Sequence, residues 1–394
     1  MKSVLLVSSL LIFLSSPAAM LAQLDTSALA MALRTNFESS DLPGLAVAIV
    51  TAEGPLYQQA FGYADRDQSI PFLSSTTMPV GSVTKTLTGL AVVKLVQDGV
   101  IEWNAPINDY LPFTIENPYF PAEPIRVAQL LNHTSSLQDG KNYGQAYLLD
   151  QRADISNKEG MHWGYLEMVQ KHDRLSLSEF VEETLSENGR WYKKKNFRKS
   201  QPGTEQSYSN INAAVAGLIV ERASGKSFAS FVQEEIFPAL GLTASSFTGK
   251  TAFADSRAQL YFPSGYRVPP YELTTYPDGG WLTNLEDLSR YLQDVLGGYQ
   301  GLPGILNPEG YQLMLPGDGD ENRAFWGMGS ESRLIGHVGS DPGVHCDIRF
   351  SADHPVGIVL LTNTNAEDNE VLWGQVKEIL AVLSEAAANV ILEE

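Results

Sequence analysis

The sequence predicts a mixed α/β chain of the α+β kind: one antiparallel sheet assembled from both chain ends and flanked by helices, with a mainly helical domain inserted between them. Three observations carry this. Strand-like runs cluster near the two ends, helical spacing dominates the middle, and an apolar-periodic helix closes the chain.

Taken in order, Thr26 to Phe37 has helical spacing, with Leu29, Leu33 and Phe37 at four-residue steps, and Asp41-Leu42-Pro43-Gly44 stops it. Leu45 to Val50 is a continuous apolar run and Leu56 to Tyr63 is rich in aromatics, so both read as strands joined by the turn Ala52-Glu53-Gly54-Pro55. A helix follows from Leu87 to Gln97, and the pattern stays mainly helical to about Leu240, with long polar loops between Gln138 and Asn196. Strand signals resume at Arg333 to Val338, Val344 to Phe350 and Val356 to Asn363, before a closing helix from Glu370 to Ile391. The expected division is a sheet domain of residues 23–80 and 270–394 around a helical domain of residues 81–269.

At 394 residues with 43% hydrophobic content, the chain is globular and exceeds one ordinary core. Residues 1–22 read as a signal peptide: Lys2, an apolar stretch from Val4 to Leu14, then small residues from Ser15 to Ala22. Eleven apolar residues fall short of the roughly 20 that span a bilayer, so the expectation is export to the periplasm or medium with no stable membrane insertion afterwards. Cys346, the single cysteine, rules out an internal disulfide. The net charge of −19 excludes nucleic acid as a partner, and the basic run from Lys193 to Lys199 reads as a solvated loop.

The chemistry centres on Ser82-Val83-Thr84-Lys85 at the start of a helix. A three-residue spacing places hydroxyl and amine on one face, where Lys85 can take the Ser82 proton as that oxygen attacks a carbonyl. Tyr208, in the Tyr208-Ser209-Asn210 turn before a second helix, is placed to relay the proton. Gly336-His337-Val338-Gly339-Ser340 ends a strand on a sheet edge. There Gly339 would let substrate approach the backbone, and the N–H groups of Ser82 and Ser340 would cradle an oxyanion. A histidine near its reference pKa of about 6.5 would make His337 a pH-dependent reader of substrate charge.

These segments, with Val80 to Thr88, Leu130-Leu131-Asn132-His133-Thr134-Ser135-Ser136-Leu137 and Pro202 to Asn210, resemble the serine β-lactamase-related, penicillin-binding-protein-like hydrolases. The branch is the one containing class C β-lactamases, D-alanyl-D-alanine carboxypeptidases, D-aminopeptidases and family VIII esterases. The resemblance runs from Thr26 to the closing helix. It implies an acyl-enzyme on Ser82, with Lys85 as base, Tyr208 as relay and Asn210 and His337 orienting a small-molecule or peptide substrate, with no cofactor and no metal. His337-Val338-Gly339 stands where β-lactam-recognising members carry Lys-Thr-Gly, which is more like the esterase and D-aminopeptidase branches. Ester, D-amino-acid peptide and β-lactam remain open as substrates.

Rival readings are weaker. His337, Asp341, His345 and Asp347 crowd one segment, but Gly339, Pro342 and Gly343 oppose the helix that would gather them around zinc. No serine has glycine two residues away on both sides, which argues against an α/β-hydrolase. Lys250-Thr251-Ala252 lacks the glycine of the missing triplet. His133 reads as a turn-bonding residue. Tyr143, Tyr147, His162, Trp163 and Tyr165 either wall the pocket or pack on the helical domain. A non-catalytic scaffold that kept the fold is the remaining alternative.

Overall fold

The computed structural model describes residues 24–149, 174–247, 254–329 and 332–390. The expected signal segment, His162, Trp163, Tyr165 and Lys250-Thr251-Ala252 lie outside them.

Among the described residues, eight antiparallel strands form one sheet. In chain order they are β1 (Gly44–Thr51), β2 (Gly54–Asp65), β3 (Ile70–Pro71), β4 (Asn322–Arg323), β5 (Trp326–Met328), β6 (Leu334–Asp341), β7 (Val344–Ser351) and β8 (Gly357–Thr362). Their spatial order is β3-β2-β1-β8-β7-β6-β5-β4, so the two ends of the chain meet where β1 pairs with β8, from Leu45 opposite Thr362 to Val50 opposite Gly357.

β1 is buried along its whole length because both faces of the sheet are covered. Alternate residues Leu45, Val47 and Ile49 pack with helices α1 (Thr26–Glu38) and the closing helix, whose Leu372, Val376, Ile379 and Leu383 belong to the same cluster. Ala46, Ala48 and Val50 face the larger core on the other side. On that side α4 (Leu285–Tyr299) packs against β1, β2 and β8, while α2 (Thr84–Gln97) and α3 (Asn210–Ser224) pack on each other within the same core. The closing helix is α5 (Glu370–Asn389). A strand with two buried faces has no polar alternation, which is why Leu45 to Val50 reads as an unbroken apolar run.

Three boundaries differ from expectation. α2 begins at Thr84, preceded by a 3₁₀ turn at Gly81–Val83 that a helical periodicity count does not capture. Leu177–Leu185, inside the stretch expected to be loop, is a helix opened by a capping box between Ser176 and Glu179. β6 runs on to Asp341, and it is an edge strand only in part: Ile335 and Gly336 pair with β5, whereas among the described residues His337 to Asp341 pair with β7 alone. The free edge needed beside the serine is therefore the second half of β6.

Candidate active site

Ser82 stands in the 3₁₀ turn that opens α2, and Gly81 enters the turn at φ +52°, a backbone shape that glycine adopts without strain. One helical step on, Lys85 is fully buried, with Nζ 2.9 Å from Ser82 Oγ and 2.6 Å from the Asp278 carbonyl oxygen. That carbonyl is fixed because the loop from Pro277 to Trp281 is tied to α2 twice more. The Thr88 hydroxyl donates to Pro277 O at 2.6 Å, and the Trp281 N–H donates to Thr84 Oγ1 at 3.1 Å.

Tyr208 reaches the serine from the far side, its hydroxyl donating to Ser82 Oγ at 2.9 Å. Its ring lies between His133 and His337, with centroids 4.6 and 6.2 Å away. The turn carrying it is held by a residue that local spacing does not mark. The Asp139 carboxylate accepts from the Ser209 hydroxyl (2.9 Å), the Asn210 N–H and Nδ2 (3.0 Å each) and the Ile211 N–H (2.9 Å). It caps α3 across the fold, since Ser209 supplies no side-chain cap of its own. Asn210 thus spends its amide on Asp139 and turns Oδ1 to the Tyr208 hydroxyl at 3.5 Å. His133 is buried against the same turn, its Nδ1 receiving Asn212 Nδ2 at 3.0 Å.

The second half of β6 packs directly on the nucleophile turn. A Cβ on Gly339 would lie 1.9 Å from Val80 O and 3.1 Å from the Ser82 nitrogen, while one on Gly81 would lie 3.1 Å from the Ser340 nitrogen. Glycine at 339 is thus required by the Ser82 turn itself, and the expectation that substrate claims the space is corrected. This close approach brings the Ser82 and Ser340 backbones together beside the free strand edge.

The charge state of His337 corrects an expectation. Burial and the Lys85 charge push His337 down to about 3, against its hydrogen bond to the Val338 carbonyl at 2.7 Å. The ring is therefore neutral across the working pH range and does not titrate near 6.5. Burial lowers the Lys85 amine, but the fields of Tyr208, Asp278 and Asp139 more than offset it and leave the amine above its ordinary value. Lys85 at rest is thus an ammonium that donates to Ser82.

A cavity of about 300 Å³ opens at the serine, lined by Ser82, Tyr208 and Asn210 on one side and by Tyr143, Tyr147, Asp278, Asp341 and Glu367 on the other. Tyr143 and Tyr147 are wall residues, each donating at 2.6 Å to a carboxylate, Asp278 Oδ2 and Asp341 Oδ1 respectively. Asp139, Asp278 and Glu367 escape a reading of the sequence because each acts on a segment far away in the chain. The His/Asp quartet is split by the strand pairing: His337 and Asp341 share one sheet face with Val344 and Ile348, while His345 and Asp347 lie on the other. Asp347 there pairs with Arg349.

The profile of the family described as Beta-lactamase matches residues 29–381. Protein flp of Staphylococcus aureus (strain MRSA252) is 22% identical over 339 residues, which make up 84% of this chain and 62% of that protein, so the chain spans under two thirds of this relative. Among solved structures, the octameric penicillin-binding protein homologue from Pyrococcus abyssi has a TM-score of 0.70 at 22% identity, over 92% of this chain and 78% of that one. The D-amino acid amidase from Ochrobactrum anthropi SV3 has a TM-score of 0.67 at 19% identity, over 92% of this chain and 98% of that one. At such identities the solved structures establish the fold alone, and it is the profile over almost the whole chain that decides: this protein belongs to the beta-lactamase family, whose members are serine hydrolases.

Proposed function

We propose that this chain is an exported serine hydrolase that forms an acyl-enzyme on Ser82 and acts on esters or amides of small molecules or peptides. The observation that carries the reading is the shared position of Ser82 Oγ, 2.9 Å from both Lys85 Nζ and the Tyr208 hydroxyl, at the floor of an open cavity. Once the Lys85–Tyr208 pair has lost one proton, it accepts the Ser82 proton as Oγ attacks the carbonyl carbon, and Tyr208 hands a proton to the departing group. The N–H groups of Ser82 and Ser340 stabilise the oxyanion, and water then releases the acid. None of these steps calls for a cofactor.

A neutral His337 in place of a permanent cation favours esters and amides over β-lactams, whose recognition in this fold uses a lysine to hold a carboxylate. The solved amidase fits that preference. Export rests on the composition of residues 1–22, and among the described residues no helix is long and apolar enough to cross a membrane.

The test is labelling with a fluorophosphonate probe, together with hydrolysis of a panel of p-nitrophenyl esters, D-alanyl peptides and nitrocefin. Wild type should label and turn over esters or amides, and Ser82→Ala should do neither while melting at the same temperature. A wild-type chain that does not label is a scaffold without turnover.

A further inference from the structure

The cavity at Ser82 carries carboxylates from Asp278, Asp341 and Glu367, and no cationic side chain is among the described residues that line it. Asp341 is the member whose surroundings point to a ligand. The residue is 8% exposed, Oδ1 takes the Tyr147 hydroxyl at 2.6 Å, and Oδ2 has no hydrogen-bond partner among the described residues. No arginine or lysine among the described residues forms an ion pair with it. A buried carboxylate held by one neutral donor, with its second oxygen facing a cavity, is left short of a partner that a cation would supply.

Its place along β6 says which part of a substrate that cation belongs to. The proton donor to the leaving group is Tyr208, beside His337 at one end of the free edge. Asp341 lies four residues further on, about 13 Å away at ~3.3 Å per strand residue, with Ser340 between them. An adduct on Ser82 with its oxyanion at the Ser340 N–H and its leaving atom at Tyr208 sends its acyl substituent towards Tyr143, Tyr147, Asp278 and Asp341.

We infer that Asp341, oriented by Tyr147, is a specificity-determining residue that receives an ammonium group on the acyl side, so that preferred substrates are esters or amides of amino acids with a free amine. The inference rests on the hydrolase reading of Ser82. Asp278, held by Tyr143 beside Gly279, adds negative field to the same subsite.

The experiment compares kcat/KM for phenylalanine methyl ester, in D and L forms, with that for methyl 3-phenylpropanoate, which lacks only the amine. Wild type should favour the better amino ester by about tenfold or more, and Asp341→Asn should lower that ratio by about tenfold. A wild-type ratio near one, or a ratio that Asp341→Asn leaves intact, overturns the inference and leaves the hydrolase reading standing. A second arm needs no turnover: calorimetric binding of phenylalaninamide to Ser82→Ala, alone and with Asp341→Asn added. Binding should weaken about tenfold in the double variant, and equal affinities would overturn the assignment of the ammonium to Asp341. The hydrolase reading fails on a different result, the absence of both ester turnover and probe labelling in wild type.

Discussion

At the scale of single residues, the chemistry depends on one proton. Lys85 is held above its ordinary value, so the resting site carries one proton too many for base catalysis. Lys85 must lose that proton before its amine can take the one from Ser82. The rate on a neutral ester should therefore climb from about pH 7 to about pH 10 without a maximum near neutrality, and Lys85→Ala should remove the rise and cost about a thousandfold or more. A bell centred near pH 7 in wild type would show that the proton is already absent. The buried wall of the pocket makes a separate prediction about stability. Burial raises Asp341 to about 7 and Asp278 to about 6. Their unfolded reference is about 3.9, so between about pH 4 and about pH 7 the unfolded chain binds fewer protons than the folded one, and stability falls as pH rises. The melting temperature of Asp341→Asn relative to wild type should be higher at pH 8 than at pH 5, and a difference that does not change with pH would mean a solvated carboxyl.

At the scale of elements, the site is a meeting of three segment ends: the turn before α2, the turn before α3 and the free half of β6. The Ser82-x-x-Lys85 spacing and the Tyr208-Ser209-Asn210 turn were legible because each lies within a few residues of sequence. What holds those turns together was not, since Asp139 stands 71 residues from Asn210 and Lys85 bonds a carbonyl 193 residues away. The charge of His337 was equally hidden, because it depends on burial and on Lys85, neither of which is written next to it. Asp139→Ala removes the cap of α3 and should cost about 1–2 kcal/mol of stability, measured by denaturant midpoint at constant m. Because the same carboxylate fixes the Tyr208 turn, kcat should also drop about tenfold or more, with fluorophosphonate labelling slowed and KM changed less. A loss of stability with kcat intact would reduce Asp139 to a helix cap.

At the scale of the whole molecule, the sheet and its two covering layers were legible in outline, because a doubly covered strand is a run of apolar residues and a half-covered helix is periodic. The order of the strands was not, since nothing in β1 or β8 names its partner. The layer made by α1 and α5 hides Leu45, Val47 and Ile49 on one side of β1. Deleting residues 370–394 would strip Leu372, Val376, Ile379 and Leu383 from that cluster, at roughly 1.5–3 kcal/mol for each side chain, comparable in sum with the ~5–15 kcal/mol of a typical domain. Such a chain should show no cooperative melt and no labelling, and a truncated form that melts like wild type would mean that α5 is dispensable. The pairing of β1 with β8 also bears on the order of events during synthesis. β1 can pair with β2 as soon as that next strand is made, but its other edge belongs to β8, so one side of an apolar strand waits unpaired while some three hundred residues are made. The serine turn cannot close on β6 in a nascent chain that still lacks its C-terminal strands. A polypeptide that stays open until β8 is made is a suitable passenger for a translocase that threads unfolded chains, and inside the cell it would need a holding chaperone.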